Sequence, residues 1–124
     1  MISVGTDILS IQRVADVQAR LGQRFVERIL TPAERREYAA AATPNRLLAK
    51  RFAAKEAIAK ALGTGIGYGV SWQDIEIDHD DRGAPSARLS GGALAAAQRL
   101  GGERLALSLS DEADYVVAFA VLDR

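Results

Sequence analysis

The sequence predicts an α+β fold in which a mostly antiparallel sheet packs with helices in one domain, residues 1–124. One observation is the order of the predicted elements, which runs strand, helices, hairpin, helix, hairpin. The other is the size and composition of the chain, 124 residues with 48% apolar and 26% charged side chains. These values are typical of one globular domain, and neither a repeat nor a low-complexity linker interrupts the pattern.

The first half of the chain predicts one strand followed by helices. Alternating residues in ISVGTD predict a short strand that ends at Asp7. Apolar residues at helical spacing predict a helix over SIQRVADVQARL with Ser10 as its N-cap, and Gly22 interrupts this helix. TPAERREYAAAA begins another helix with a Thr-x-x-Glu capping box. After Pro44, residues 45–62 form a long predicted helix with Gly63 at its left-handed C-terminal position.

The second half predicts two hairpins separated by a helix. DIEIDHD alternates strictly, DRGAP is typical of a turn, and SARLS supplies the pairing strand. GALAAAQRLGG is a short helix that ends at glycine. RLALSLS and YVVAFAVL are two further strands, and the acidic turn DEAD joins them.

Several classes of function lack their required residues. The chain has no cysteine and one histidine, His79 in a charged segment, so thiolate metal sites and Cys–His or Ser–His–Asp catalysis are excluded. The glycine-rich stretch GTGIGYG matches neither a Walker A motif nor a dinucleotide fingerprint. No apolar run is long enough for a membrane span, and MISVGTDILSIQRV is a poor signal peptide. We therefore expect a cytoplasmic protein without a membrane partner.

The two halves of the chain carry opposite charge. Residues 1–62 contain 11 Lys and Arg against 6 Asp and Glu, whereas residues 63–124 contain 5 against 10, so the net charges are +5 and −5. Such a division suits a basic surface for an anionic partner. Alternatively, the halves neutralise one another in the folded protein.

Two carboxylates are candidates for a metal site. Asp7 ends the first predicted strand, and Glu56 lies within an otherwise apolar part of the long helix. One or two carboxylates with open positions suit Mg²⁺, which completes its shell with water and phosphate oxygens. The alternatives are a helical pair between Glu56 and Lys60, and a cap or turn made by Asp7.

The long helix concentrates positive charge beside the glycine-rich stretch. All three lysines lie within eleven residues, at Lys50, Lys55 and Lys60, and Arg51 lies among them. With flexible glycine amides, these cations could form a cradle for several phosphates. For Lys50 and Arg51, the alternative is a solvated helix surface.

A second basic feature precedes that helix. The spacings of 7, 4 and 4 between Arg13, Arg20, Arg24 and Arg28 would align them along one side of a continuous helix. Gly22 argues against continuity. A solvated helix face is one interpretation, and an acidic protein or a nucleic acid as partner is the other.

Three blocks of the sequence form a recognisable set: GTDILSIQRV, RFAAKEAIAKALGTGIG and SLSDEADYVVAFAVL. They resemble the signature regions of holo-[acyl-carrier-protein] synthases, the short bacterial type of 4′-phosphopantetheinyl transferase. They occur in the family's order, and the resemblance covers essentially the whole chain. It implies an Mg²⁺-dependent transfer of 4′-phosphopantetheine from coenzyme A to a serine of apo acyl carrier protein, with release of adenosine 3′,5′-bisphosphate.

The resemblance also assigns catalytic roles. Asp7 and Glu56 match the family's Mg²⁺ ligands, and either Glu56 or a metal-bound water would deprotonate the serine. Lys60 matches a lysine that stabilises or protonates the departing phosphate. The coenzyme A contacts that it implies are Arg51, Lys55, Gly63, Thr64, Gly65, Ile66, Ser110 and Asp111. Asp111 departs from the family, because many relatives have histidine there, and an acid would repel phosphate unless it binds a cation or another polar group.

The resemblance further implies an acidic partner and an assembly. The residues that it assigns to carrier-protein docking are Arg13, Arg20, Arg24, Phe25 and Arg28. The positive charge of the arginines would steer the acidic carrier. Family members are homotrimers whose active sites lie at subunit interfaces. The transferase interpretation involves no nucleic acid. The alternative function is a non-enzymatic module that binds RNA or an acidic protein through the arginine face, without Mg²⁺ or coenzyme A.

Overall fold

A long helix lies across one face of a three-stranded antiparallel sheet, and a separate two-stranded hairpin completes the strands. The computed structural model describes residues 1–102 and 104–124. Its elements are β1 (Ile2–Ser10), α1 (Ile11–Leu21), α2 (Gln23–Ile29), α3 (Pro32–Ala40), α4 (Pro44–Ala61), a 3-10 turn (Trp72–Asp74), β2 (Ile75–His79), β3 (Pro85–Leu89), α5 (Gly91–Arg99), β4 (Arg104–Asp111) and β5 (Tyr115–Asp123). The predicted α+β class is confirmed.

The three-stranded sheet has the order β1-β5-β4, so the last strand of the chain lies in its centre. Both neighbours run antiparallel to β5, and Asp7 pairs with Ala118 while Leu109 pairs with the same residue from the other side. One face of β5 is fully buried through alternate residues, Val116, Ala118, Ala120 and Leu122. This face packs against α4, and their contact forms the centre of the core.

One boundary differs from that expected from the sequence, and another confirms it. β1 does not end at Asp7 but continues to Ser10, because the three residues after Asp7 keep pairing with β5 as far as Tyr115. Asp7 therefore lies within a strand, with its direction fixed by the sheet. Gly22 has φ +70° and separates α1 from α2, as the sequence predicts, so the arginine-bearing segment is two helices and its arginines do not share one continuous helix face.

Local signals in the sequence fix several helix ends as expected. Thr31 and Glu34 form a complete capping box at the start of α3. Ser10 caps α1 by accepting a hydrogen bond from the Arg13 amide. Gly63 follows α4 with φ +79°, the left-handed conformation expected there.

Gly5 is the point where β1 comes closest to α4. A Cβ atom at this position would lie 1.9 Å from the carbonyl oxygen of Ala57 and 2.7 Å from the amide nitrogen of Ala61. Both are backbone atoms of a helix and cannot turn away as a flexible side chain could. The absence of a side chain at Gly5 thus sets the distance between the strand bearing Asp7 and the helix bearing Glu56.

Gly5→Ala is expected to force β1 and α4 apart and to lower the free energy of unfolding by about 3 kcal/mol, the upper part of the usual range for an overpacked core. Urea unfolding followed by circular dichroism measures this loss. Ser3→Ala in the same strand is the control and should change stability by less than about 0.5 kcal/mol. A Gly5→Ala variant as stable as the control would show that the strand–helix distance is adjustable.

Candidate functional site

Asp7 of β1 and Glu56 of α4 line the same cleft, which has a volume of about 410 Å³. The rest of its wall is largely apolar and includes Val14, Phe25 and Phe52. The sheet fixes Asp7, the helix fixes Glu56, and the close packing at Gly5 holds the two elements together. The structure therefore brings together the two carboxylates that were predicted as metal ligands.

The cleft disfavours negative charge on both carboxylates. Burial raises the pKa of Asp7, and the positive charge of Lys60 partly opposes this shift. Burial also raises the pKa of Glu56; the charge of Asp7 raises it further, and Lys60 again opposes the shift. Two partly desolvated carboxylates thus repel each other, and a bound divalent cation would relieve that repulsion.

The donor set fits a hard cation that keeps open coordination positions. Asp7 and Glu56 supply carboxylate oxygens only, and no group of three or more His, Cys, Asp or Glu suited to a metal occurs within residues 1–102 and 104–124. Mg²⁺ commonly binds in this way, with one or two carboxylates while water and substrate phosphates complete the octahedron. The chemistry of these two side chains is consistent with such an ion.

Lys60 lies beside the carboxylates and remains half exposed. Its Nζ donates to the carbonyl oxygen of Thr6 at 2.8 Å and to Oδ1 of Asp7 at 3.4 Å. The side chain is 51% exposed, so one N–H can still face a bound anion. This location suits the predicted role at the departing phosphate.

Lys55 lies in the core and not on the surface of α4. Its side chain is fully buried, and Nζ donates to Glu34 Oε1 and to the Ile29 carbonyl, both at 2.6 Å, and to the Trp72 carbonyl at 3.1 Å. Because an ammonium group has three donors, all are occupied within the protein. Lys55 is therefore a core residue of this chain, and its predicted contact with coenzyme A phosphates stays a prediction.

Arg51 is also largely buried, with 4% exposure, and its Nη2 donates to Oε2 of Glu37 at 3.1 Å. It is not the solvated helix residue considered above. Its predicted contact with coenzyme A stays a prediction.

The glycine-rich stretch forms a turn after α4 and offers fewer free amides than expected. The amide of Gly63 donates to the Lys60 carbonyl, while those of Thr64 and Gly65 both donate to the Ala59 carbonyl. These bonds satisfy carbonyl groups at the end of the helix, so these three amides already have partners within the chain, and the phosphate cradle stays a prediction. The glycines are needed for conformation, since Gly65 and Gly67 have φ of +63° and +112°. Contacts of coenzyme A with Gly63, Thr64, Gly65 and Ile66 through other atoms stay predictions.

Asp111, at the end of β4, binds cations of α4. Its Oδ2 accepts a hydrogen bond from Nη1 of Arg46 at 2.8 Å, and Oδ1 lies 3.9 Å from Nζ of Lys50. Arg46 also donates to the carbonyls of Glu112 and Ala113. These cations balance the charge of Asp111, and the predicted roles of Asp111 and Ser110 stay predictions. Arg46 was not among the residues predicted from the sequence, although its i,i+4 spacing from Lys50 indicates a shared helix face.

The arginines predicted to dock a partner lie on two helices that meet at Gly22. Arg24, Phe25 and Arg28 line one cleft of about 360 Å³ on α2, together with Leu21. Arg13 of α1 and Phe25 line the cleft that contains Asp7 and Glu56. Arg20 is exposed in the last turn of α1. Phe25 therefore borders both clefts, and a partner on α2 would lie next to the carboxylates.

Comparison with known proteins gives concordant matches. Residues 3–120 match the model of the 4′-phosphopantetheinyl transferase superfamily. Over 123 residues the chain is 50% identical to the holo-[acyl-carrier-protein] synthase of Shewanella frigidimarina, covering 99% of this chain and 98% of that protein. It is 48% identical to a Vibrio cholerae protein of the same name, covering 100% and 98%.

Solved structures of the same name are similar as well. A holo-[acyl-carrier-protein] synthase from Neisseria meningitidis superposes with a TM-score of 0.94 at 46% identity, and both chains are fully covered. One from Helicobacter pylori, in complex with coenzyme A, has a TM-score of 0.85 at 32% identity and covers 97% of this chain and 99% of that one.

Proposed function

Because the chain belongs to the 4′-phosphopantetheinyl transferase superfamily, in its holo-[acyl-carrier-protein] synthase family, we propose that the cleft between Asp7 and Glu56 is its active site. The chain is an enzyme that transfers 4′-phosphopantetheine from coenzyme A to apo acyl carrier protein. In this reaction the serine oxygen bonds to the phosphorus bearing pantetheine, and the bond from that phosphorus to adenosine 3′,5′-bisphosphate breaks. The observation supporting this site is that two partly buried carboxylates and Lys60 converge there.

Each residue of the cleft has a distinct task in this proposal. Asp7 and Glu56 would hold Mg²⁺, which supplies Lewis-acid stabilisation of the pyrophosphate and of the charge that grows on the leaving group. Lys60 has one donor free and stabilises the departing phosphate by a charge-assisted hydrogen bond. The apolar wall formed by Val14, Phe25 and Phe52 restricts water around these groups and strengthens their electrostatic interactions.

The raised pKa of Glu56 predicts a pH-dependent stability in the absence of metal. Below the ordinary pKa of a glutamate carboxyl, Glu56 is protonated in both the folded and the unfolded protein and does not lower the stability. As the pH rises through the raised pKa, the folded protein has to ionise a partly buried carboxyl, and its free energy of unfolding falls. Glu56→Gln should therefore become more stable than the unmodified protein at about pH 8 but not at about pH 4. Urea unfolding at both pH values measures the difference.

Mg²⁺ provides the matching arm of that experiment. Added at about pH 8, it should stabilise the unmodified protein and leave Glu56→Gln much less affected. Glu112→Gln, at an exposed position in the β4–β5 turn, is the control: it should gain no stability over the unmodified protein at about pH 8, and Mg²⁺ should stabilise both equally. Equal stabilisation of all three proteins by Mg²⁺ would remove Glu56 from the metal site.

The docking surface for the carrier protein is proposed to be the arginine-bearing part of α1 and α2. The exposed residues Arg13, Arg20, Arg24 and Arg28 give this surface a positive charge, and Phe25 supplies an apolar contact next to the active-site cleft. Such charges raise the association rate with an acidic partner more than they change the chemical step.

Arg24→Glu is expected to raise the KM for the carrier protein about tenfold at low salt and less at high salt, because exposed charges are screened. The KM for coenzyme A should stay unchanged. Arg99→Glu, an exposed charge reversal on α5, is the matched control. Steady-state kinetics with each substrate varied in turn measures both constants, and an unchanged carrier KM at low salt would exclude this surface.

We also propose that the protein assembles as a homotrimer through the sheet face turned away from α4. In the single chain, β1 and β5 expose six large apolar side chains: Ile2, Val4, Ile8, Tyr115, Val117 and Phe119. An apolar patch of this extent on a small chain is typical of an interaction surface. Neighbouring subunits would then contribute to each coenzyme A site.

The single domain of residues 1–124 and the cytoplasmic location stay predictions. No helix among the described residues has the length and apolarity of a membrane span.

A further inference from the structure

The docking helix α2 is short and weakly anchored at its start. It has seven residues, and its N-cap is Gly22, which makes no side-chain capping bond. A helix of two turns gains little stability from its own hydrogen bonds. The orientation of Arg24 and Phe25 must therefore depend on what holds the other end of α2.

One side chain from a distant segment binds that other end. Nε2 of Gln73, in the 3-10 turn, lies 2.9 Å from the carbonyl oxygen of Glu27, 3.2 Å from that of Arg28 and 2.9 Å from that of Leu30. The carbonyls in the last turn of a helix have no partners within the helix. The amide of Gln73 supplies those partners across 43 to 46 residues of sequence.

The remaining carbonyls of the last turn are bound too. The carbonyl of Val26 accepts from the amide of Leu30 at 2.9 Å, and that of Ile29 accepts from Nζ of Lys55 at 2.6 Å. Lys55 precedes the active-site residue Glu56 in α4. The end of α2 is therefore bound by two side chains, Gln73 of the 3-10 turn and Lys55 of α4, the catalytic helix, so named because it carries Glu56.

Aromatic packing connects the same three elements. The ring of Phe52 in α4 lies 4.8 Å from that of Trp72, the neighbour of Gln73, and 6.3 Å from that of Phe25 in α2. The 3-10 turn thus contacts the catalytic helix through Trp72 and the docking helix through Gln73. A displacement of α2 at its C-terminal end would move Phe25 relative to the cleft that contains Glu56.

We propose that Gln73 is a positioning residue for the carrier protein: its side-chain amide holds α2 so that the docked serine meets the Asp7–Glu56 cleft. This inference rests on the proposed docking surface. Gln73 itself lies away from that cleft's lining and acts through α2. Because Gln73 is exposed, its side chain can be replaced without creating a cavity in the core.

The test compares two replacements of similar length. Gln73→Met keeps the shape and removes the donors, whereas Gln73→Lys keeps donors and places a positive charge favourably at a helix C-terminus. Gln73→Met should raise the KM for the carrier protein about fivefold to tenfold, the effect of about one lost hydrogen bond. The kcat at saturating carrier and the KM for coenzyme A should stay within about twofold.

Gln73→Lys should restore the carrier KM to nearly that of the unmodified enzyme, and Gln98→Met, at an exposed glutamine of α5, should not change it. A lower melting temperature in Gln73→Met with an unchanged carrier KM would reduce Gln73 to a structural role and overturn the proposal. Equal defects in Gln73→Met and Gln73→Lys would do the same, because the donors would then be irrelevant. Should Gln73→Met be too unstable to assay, Gln73→Ala replaces it with the same expected results, because it removes the donors and adds no charge at this exposed position.

Arg24→Glu, measured in parallel, distinguishes the two ways of failing. A raised carrier KM in Arg24→Glu without one in Gln73→Met rejects the positioning role and leaves the docking surface in place. An unchanged carrier KM in both variants rejects the docking surface and, with it, this inference.

Discussion

Replacing Glu56 with glutamine, or Asp7 with asparagine, is expected to reduce turnover at least about 100-fold, the effect typical of removing one electrostatic contact to a transition state. Both substitutions keep the shape of the side chain and remove the charge that would bind Mg²⁺. Neither should harm the fold, since burial makes both charges unfavourable within the cleft. Turnover is measured as holo carrier formed at saturating coenzyme A and Mg²⁺.

The control for this loss is Asp81→Asn, which removes an exposed carboxylate from the β2–β3 turn and should leave turnover unchanged. Light scattering on all variants should give three times the chain mass of 13.2 kDa, so that loss of activity is separated from loss of assembly. Normal turnover in both Glu56→Gln and Asp7→Asn would refute the assignment of the metal ligands. A monomeric unmodified protein would refute the trimer.

Replacing Lys55 with methionine is expected to lower the free energy of unfolding by about 3–5 kcal/mol, the range found when one partner of a buried ion pair is removed. Methionine fills a similar volume but leaves the carboxylate of Glu34 buried without its counter-ion. The carbonyls of Ile29 and Trp72 would lose a donor as well. Urea unfolding without coenzyme A measures the loss.

Lys50→Met is the matched control, because it makes the same change on the same helix at a partly exposed lysine. It should cost less than about 1 kcal/mol. The double variant Lys55→Met/Glu34→Gln should lose less free energy of unfolding than the sum of the losses in the two single variants, because it leaves no unpaired buried charge. Equal stability of Lys55→Met and Lys50→Met would show that the buried pair does not support the fold.

The elements of the fold could be predicted because their signals are local. The alternation in DIEIDHD, the Thr31–Glu34 capping box and the glycine after α4 each act within a few residues. The end of β1 was misplaced because the strand is extended by pairing with β5, more than 100 residues away. Local polarity at Asp7 could not show that pairing.

The sequence could predict which residues lie near the site but not which of them are buried. Lys55 has the pattern of a surface residue beside Glu56, and its burial depends on Glu34, 21 residues away, which uses its other oxygen to accept from the amide of Ile77. Periodicity gave no indication of the proposed trimer. The run YVVAFAVL nevertheless contained a signal, since a strand without polar alternation is typical of a sheet covered on both faces.

The non-enzymatic alternative, an arginine face for RNA or an acidic protein, explains the docking surface alone. It gives no role to the paired carboxylates of Asp7 and Glu56 or to Lys60 beside them. The membership of the chain in a transferase family supports the enzymatic function instead.

The most direct test is the intact mass of apo acyl carrier protein after incubation with this enzyme, coenzyme A and Mg²⁺, with EDTA in a parallel sample. The expected result is a mass gain of one phosphopantetheine group that EDTA abolishes and that Glu56→Gln fails to produce. A gain that persists in EDTA and in Glu56→Gln would contradict the metal site at Asp7 and Glu56. No gain with a folded enzyme and a competent carrier would contradict the transfer itself.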